Sequence, residues 1–138
     1  MEILVHNLDE QLGITNENIT DLIKHTIKKI KLDIHSCQVI FVDDEKLRKM
    51  HEHYLNDPDY TDVITFNLGE DSAESEIYIS IDRVKENANI FEVSIKNEVY
   101  RNIIHGLLHL KGYTDKKDYE KSIMKQKEEE LLKQVQIL

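Results

Sequence analysis

Between Ser36 and Val42 the chain is apolar at nearly every position, and this run constrains the fold more than any other. A strand with one wet face alternates apolar and polar residues, whereas a run of this kind is expected of a strand covered on both faces. Such a strand needs helices packed against the sheet, and the chain offers them. Ile19, Leu22, Ile23, Ile27 and Ile30 recur at helical spacing after Thr15 or Asn16 as a cap. D43-D44-E45 puts acids where a helix N-terminus favours them, and Leu47, Met50 and Tyr54 mark the buried face of the helix that follows. Asp82 to Asn89 reads as a short helix. Ser94 caps a long one running to about Leu110, and a last helix extends to the C-terminus.

The remaining strands are expected at E2-I-L-V5, T61-D-V-I-T-F66 and E76-I-Y-I-S-I81, where isoleucines alternate with other residues. N56-D-P-D-Y60 is turn chemistry, and N67-L-G-E-D-S-A73 reads as an exposed loop. The expected class is α+β, a small mixed sheet of about four strands packed with about five helices. No repeat and no long linker divides the chain, so residues 1–138 are expected to form one domain.

Composition narrows the function classes. The 138 residues are 40% hydrophobic, enough for a core, with only four Gly and one Pro. No apolar run approaches the roughly 20 residues of a membrane span, and MEILVHNLDE lacks the regions of a signal peptide. The single cysteine, Cys37, cannot close an internal disulfide, which fits a cytoplasmic protein. It reads as a buried small hydrophobe rather than a nucleophile. The formal charge of -9 is unfavourable for a phosphate backbone. Charge is uneven, however. Lys24, Lys28, Lys29 and Lys31 cluster in one segment, and Glu70, Asp71, Glu74 and Glu76 in another.

Chemistry concentrates in H105-G-L-L-H109-L-K-G112-Y-T-D115. Histidines four apart on a helix project from one side and chelate a divalent ion without strain; zinc commonly takes such nitrogens. On a helical wheel Val99, Ile103, Leu107 and Leu110 share one arc, while Glu98, Asn102, His105 and His109 occupy the other. A polar stripe on an otherwise apolar helix lines a cleft. Gly112 lets the chain reverse in a left-handed conformation and could bring Asp115 to the same ion. Three protein ligands would leave a fourth position for water. His51 and His53, two apart beside Glu52, point in different directions and suit solvated or capping roles. Zinc peptidases of the H-E-x-x-H type place a glutamate beside the first histidine; here that position is Gly106.

H105-G-L-L-H109-L-K-G112-Y113 resembles the H-G-x-L-H-L-x-G-Y signature of the YbeY family. T61-D-V-I-T-F66 is similar to that family's T-D-V-L-S-F strand and S75-E-I-Y-I-S80 to its G-D-I-x-I strand, in the same order and at similar intervals. The resemblance implies a zincin-like metal helix in a single-strand-specific metallo-endoribonuclease. That enzyme would act in 16S rRNA 3′-end maturation and ribosome quality control, in the cytoplasm, with single-stranded rRNA and the small ribosomal subunit as partners. It implies one zinc ion with His105 and His109 as its first two ligands. The family's third ligand is a histidine, and Asp115 holds its position. The family often has an arginine after the tyrosine that precedes the T-D strand; after Tyr54 this chain has Leu55, and its only arginines are Arg48, Arg83 and Arg101.

Metal-bound hydroxide, or metal polarisation of a phosphoryl oxygen, would drive phosphodiester cleavage. Glu98, with Arg101, could orient a ligand from behind, or Glu98 could form a surface salt bridge. Two other functions use the same residues. One is a zinc hydrolase of another substrate such as a peptide, against which Gly106 argues. The other is a ribosome-assembly module with weak or no catalysis, which Leu55 and the acidic balance favour.

Overall fold

The structure, a computed structural model, describes residues 1–69 and 73–135. Four strands form one mixed sheet in the order β1-β2-β4-β3, built from β1 (Glu2–His6), β2 (Ser36–Val42), β3 (Val63–Leu68) and β4 (Glu74–Ser80). β1, β2 and β4 run parallel, and β3 closes one edge antiparallel to β4, Ile64 opposite Tyr78. Five α-helices accompany the described strands: α1 (Asn16–Ile30), α2 (Asp44–Leu55), α3 (Ile81–Ile90), α4 (Ile95–Lys111) and α5 (Asp118–Val135). This is the expected α+β mixture. A single 3-10 turn at Glu10–Leu12 was not foreseen.

Pleating divides β2 between two cores. Cys37, Val39 and Phe41 face the large core beneath α1, α4 and α5, with Ile77 and Ile79 of β4 beside them. Val42 and Ile40 face the opposite side, where Leu47 of α2 and Ile64 of β3 complete a smaller core. The double cover inferred for β2 is thus real at its C-terminal end. Near its start Gln38 is only half-buried and meets His6 at 2.9 Å. Burial of Cys37 pushes its thiol up to about 11, so the thiolate is disfavoured and the packing role stands.

The helix ends follow the capping residues. Thr15 Oγ1 accepts from Asn18 N–H, and the Asn18 side chain accepts from Thr15 N–H, which fixes the start of α1. Asp43 caps α2, and Ser80 caps α3, so Ile81 opens a helix instead of ending β4. Another expectation fails at Tyr54, which is 59% exposed. α2 packs by its last turn over the edge strand β3, and there the Tyr54 ring meets Phe66 edge-on at 5.3 Å and its helix neighbour His53 at 4.6 Å, with its outer face left to solvent. Glu70 and Asp71 of the acidic segment lie outside the described residues, as does residue 72 of the foreseen loop. The start of that loop is strand instead: Asn67 and Leu68 continue β3, paired with Ser75 and Glu74 of β4.

α4 runs through the middle, packed by α1, α3, α5, β3 and β4. Nine of its 17 residues are buried, among them the polar Glu98 and Asn102. Polar groups inside an interior helix must face something other than core, and that places the site.

Candidate metal centre

α4 carries Val99, Ile103 and Leu107 into the core at full burial, so its other side points away from it. Glu98, Asn102 and His105 line a cleft of about 610 Å³, whose walls also include Asp62, Arg101, Asp115 and Glu128. Gly106 faces the sheet, not the cleft. A Cβ there would lie 2.8 Å from Thr65 Cγ2 and 3.2 Å from Ile77 Cγ2, so the helix approaches β3 and β4 only because the residue has no side chain. The position that bears a base in zinc peptidases is here a packing contact.

The end of α4 builds the centre. Gly112 adopts φ 119°, and its N–H reaches the carbonyls of Leu108 and His109 while Tyr113 N–H returns to Leu108 O at 3.0 Å. This left-handed reversal turns the Tyr113 carbonyl onto His109 Nδ1 at 3.1 Å and carries Asp115 back over the histidines. Asp115 Oδ2 lies 3.5 Å from His105 Nε2 and 3.6 Å from His109 Nε2. The two Nε2 atoms are 3.0 Å apart. Asp115 does not cap α5: that start is tied by Glu120, which accepts from Lys117 N–H at 3.0 Å.

Hydrogen bonding fixes what the facing nitrogens can be. His109 Nδ1 meets a backbone carbonyl, which only accepts, so Nδ1 carries the proton. His105 Nδ1 meets Glu128 Oε2 at 2.8 Å and donates likewise. In the neutral rings both Nε2 atoms then present lone pairs to each other and to a carboxylate, an arrangement that requires a cation. The donors suit a metal ion. A tetrahedral centre about 2.05 Å from each donor would space them about 3.3 Å apart, and His105, His109 and Asp115 form a group able to hold one. Side-chain exposures of 24%, 29% and 42% leave the outer side open to the cleft. Electrostatics without metal point the same way. Burial disfavours the His105 imidazolium, but the Glu128 hydrogen bond and charge, backed by Asp115 and Asp62, outweigh it and raise its pKa. Burial and the neighbouring His105 charge lower that of His109.

Glu128 escaped the sequence reasoning, although a signal exists. Met124, Glu128, Leu131, Leu132 and Val135 form the buried stripe of α5, and an acid in an apolar stripe needs a partner. Its position within E128-E-E130 hid which glutamate turns inward. Arg101 stands behind it, pairing with Glu128 at 3.7 Å and with Glu129. Glu98 is 2% exposed and pairs with no cation among the described residues, so the surface salt bridge is not formed there.

The other sequence candidates fall elsewhere. His51 Nδ1 donates to Asp59 O at 2.8 Å and so ties down the turn after α2, while exposed His53 packs edge-on against Tyr54. Lys24, Lys28 and Lys31 are exposed on and just after α1 and do not line the cleft. Leu55 is 55% exposed. All three arginines are engaged by acids: Arg48 by Glu45 and Glu52, Arg83 by Asp44, and Arg101 as above.

Fold and site together describe an α+β protein with a candidate three-ligand metal centre on its central helix. The family model for endoribonuclease YbeY matches residues 4–136, and the chain belongs to that family of RNA-cleaving hydrolases. It is 45% identical over 104 residues to endoribonuclease YbeY of Cytophaga hutchinsonii, covering 74% of this chain and 73% of that one. It is 48% identical over 96 residues to the Flavobacterium psychrophilum protein of the same name, covering 68% of each. The solution structure of TM1509 from Thermotoga maritima superposes with a TM-score of 0.68 at 28% identity, over 98% of this chain and 89% of that one.

Proposed function

We propose that this protein is a zinc-dependent, single-strand-specific endoribonuclease that matures the 3′ end of 16S rRNA and serves ribosome quality control. It would act in the cytoplasm on the small ribosomal subunit. The reading is carried by the two Nε2 atoms of His105 and His109, 3.0 Å apart with both Nδ1 positions committed to acceptors. His105, His109 and Asp115 would hold one zinc ion, which supplies Lewis acidity toward a phosphodiester and activates water. The chain's own part is orientation: Glu128 and the Tyr113 carbonyl hold the rings so that their free nitrogens face Asp115.

Metal analysis of untagged protein, followed by cleavage assays on single-stranded and duplex RNA, tests this. About one zinc per chain and cleavage confined to single strands is the expected result. Wild-type zinc content in both His105→Ala and His109→Ala would sink it. Peptide cleavage by the loaded protein would favour the peptidase function, which the sheet-facing Gly106 leaves without its usual base.

A second reading has one observation behind it. Leu55 stands exposed where the family often has arginine, and every arginine is engaged by an acid. A ribosome-assembly role with weak catalysis fits that. Co-sedimentation with small subunits by a metal-site variant, without RNA cleavage by the wild type, would select it.

A further inference from the structure

The cleft continues along α4 beyond the metal centre, toward the helix start. Glu98 lies two turns before His105, about 10 Å along the axis, too far to touch atoms reacting at the triad. It is 2% exposed, lines the cleft, and its Oε2 has no hydrogen-bond partner among the described residues. A buried acceptor left open is costly and calls for an explanation. The neighbouring groups do not supply one. Arg101 is turned to Glu128 and Glu129. Asn102 spends a donor on the Glu98 backbone carbonyl at 3.1 Å. Asp62 lines the same cleft and its charge adds to the burden on Glu98.

This wall is therefore rich in acceptors and repels phosphate. Its complement is a neutral, flat group with adjacent N–H donors. Among nucleobases, guanine alone sets two donors side by side on its pairing edge, N1–H and the N2 amino group. Adenine and cytosine place a ring acceptor beside the amino group, and uracil flanks its one N–H with carbonyls. Phe91, at the end of α3, also lines the cleft and is 60% exposed, so it offers a ring face for stacking. Lys125 on α5 lines the same cleft and pairs with no carboxylate among the described residues, so it can meet the backbone phosphate outside the acidic wall.

Resting on the endoribonuclease reading, we propose that this arm of the cleft is a base pocket. It takes a guanine flanking the phosphate held at the metal centre, with Glu98 accepting from its N1–H and N2 amino group and Phe91 stacking on its ring. Glu98 is then a specificity-determining residue, not a catalytic one.

The test compares guanosine and inosine monophosphates, which differ only in the N2 amino group. Titration of each into the metal-loaded full chain, followed by amide NMR, should show GMP binding about tenfold more tightly, the worth of one charge-assisted hydrogen bond. Shifts should centre on Phe91 and Glu98. Single-stranded oligomers with one guanine replaced by inosine should lose about tenfold in kcat/KM at one position relative to the cut. Glu98→Leu, which removes the acceptor, should bring both ratios close to one, while Phe91→Ala weakens both nucleotides and keeps the ratio. Equal binding of GMP and IMP by the wild type, or a ratio that survives Glu98→Leu, would overturn the pocket. RNA cleavage without discrimination would leave the nuclease reading standing and overturn the pocket; GMP selectivity without cleavage of any RNA would do the reverse.

Discussion

Glu128 on α5 holds His105 on α4 through a 2.8 Å hydrogen bond to Nδ1, so the last helix sets the tautomer of a residue 23 positions earlier. A histidine ligand works through one nitrogen, and the group bonded to the other decides which way the ring faces and how basic it is. Arg101 in turn pins Glu128. Glu128→Ala should therefore weaken metal binding about 10- to 100-fold, while Glu128→Gln, which can still accept from Nδ1–H, should restore much of it. Competition with a coloured chelator measures both, and an affinity unchanged in Glu128→Ala would separate α5 from the centre.

The contact of Gly106 with the sheet makes a stability prediction. A methyl group there overlaps Thr65 Cγ2 at 2.8 Å, and both elements are anchored in the core. Gly106→Ala should cost about 1–3 kcal/mol by overpacking, more than offsetting the better helix propensity of alanine. Urea unfolding reads this directly, and a gain in stability would mean that α4 sits farther from β3 than described.

Gly112 is a different kind of glycine. Nothing lies within 4 Å of its missing Cβ, so only the backbone at φ 119° resists a side chain. Gly112→Val should cost roughly 1 kcal/mol or more. It should also loosen metal binding, because the same reversal delivers the Tyr113 carbonyl and Asp115. Gly112→Asn should do less on both counts, since asparagine tolerates positive φ. Parallel melting curves and zinc titrations check the pair; normal zinc affinity in the valine variant would uncouple the turn from the site.

Much of this is legible in the sequence. The two histidines, the glycine reversal and the acid after it are local in sequence, so helical geometry alone brings them together. The buried and cleft-lining arcs of α4 followed from the period of its apolar residues. What stayed hidden was non-local. Glu128 reaches the site through α4–α5 packing, and no spacing rule connects positions 105 and 128. The exposure of Tyr54 depends on α2 packing by its last turn over an edge strand, which the helical period cannot reveal. Ile81 went wrong for another reason: alternation carried the strand one residue too far, where Ser80 was already capping a helix.

Glu98 gives the stability of the metal-free protein a pH dependence. Burial raises its pKa, and Asp62 and Glu128 add to this against the opposing Arg101. A carboxyl whose folded pKa lies above its unfolded one favours folding while protonated. That contribution is complete below the unfolded pKa and is lost as pH rises through the folded one. Glutamine stays neutral throughout. Glu98→Gln should thus match the wild type below the ordinary glutamate range and become the more stable of the two by neutral pH. Melting temperatures from pH 4 to 7 decide it, and a gap that does not widen with pH would show that Glu98 is not ionised at a cost.

The resemblance puts Asp115 at the position of a third histidine ligand, and with Asp115 as ligand the difference would have a chemical consequence. Its Oδ2 lies within 3.6 Å of both facing nitrogens, yet the side chain is 42% exposed and does not cap α5. An aspartate brings a negative charge where histidine brings none. The ion it helps to hold should therefore be a weaker Lewis acid, and its activation of water should need a higher pH. Asp115→His, if it keeps zinc, should move the pH–rate profile for RNA cleavage toward lower pH. Asp115→Asn retains the shape but is a poor ligand, and should lose zinc when metal is limiting for the wild type. Asp115→Ala should bind weakly as well, because two histidines seldom hold zinc alone. Full occupancy in Asp115→Asn would remove the aspartate from the ligand set. The two facing nitrogens would then need a third donor from elsewhere along the cleft, with Asp62, which lines it, the first to replace.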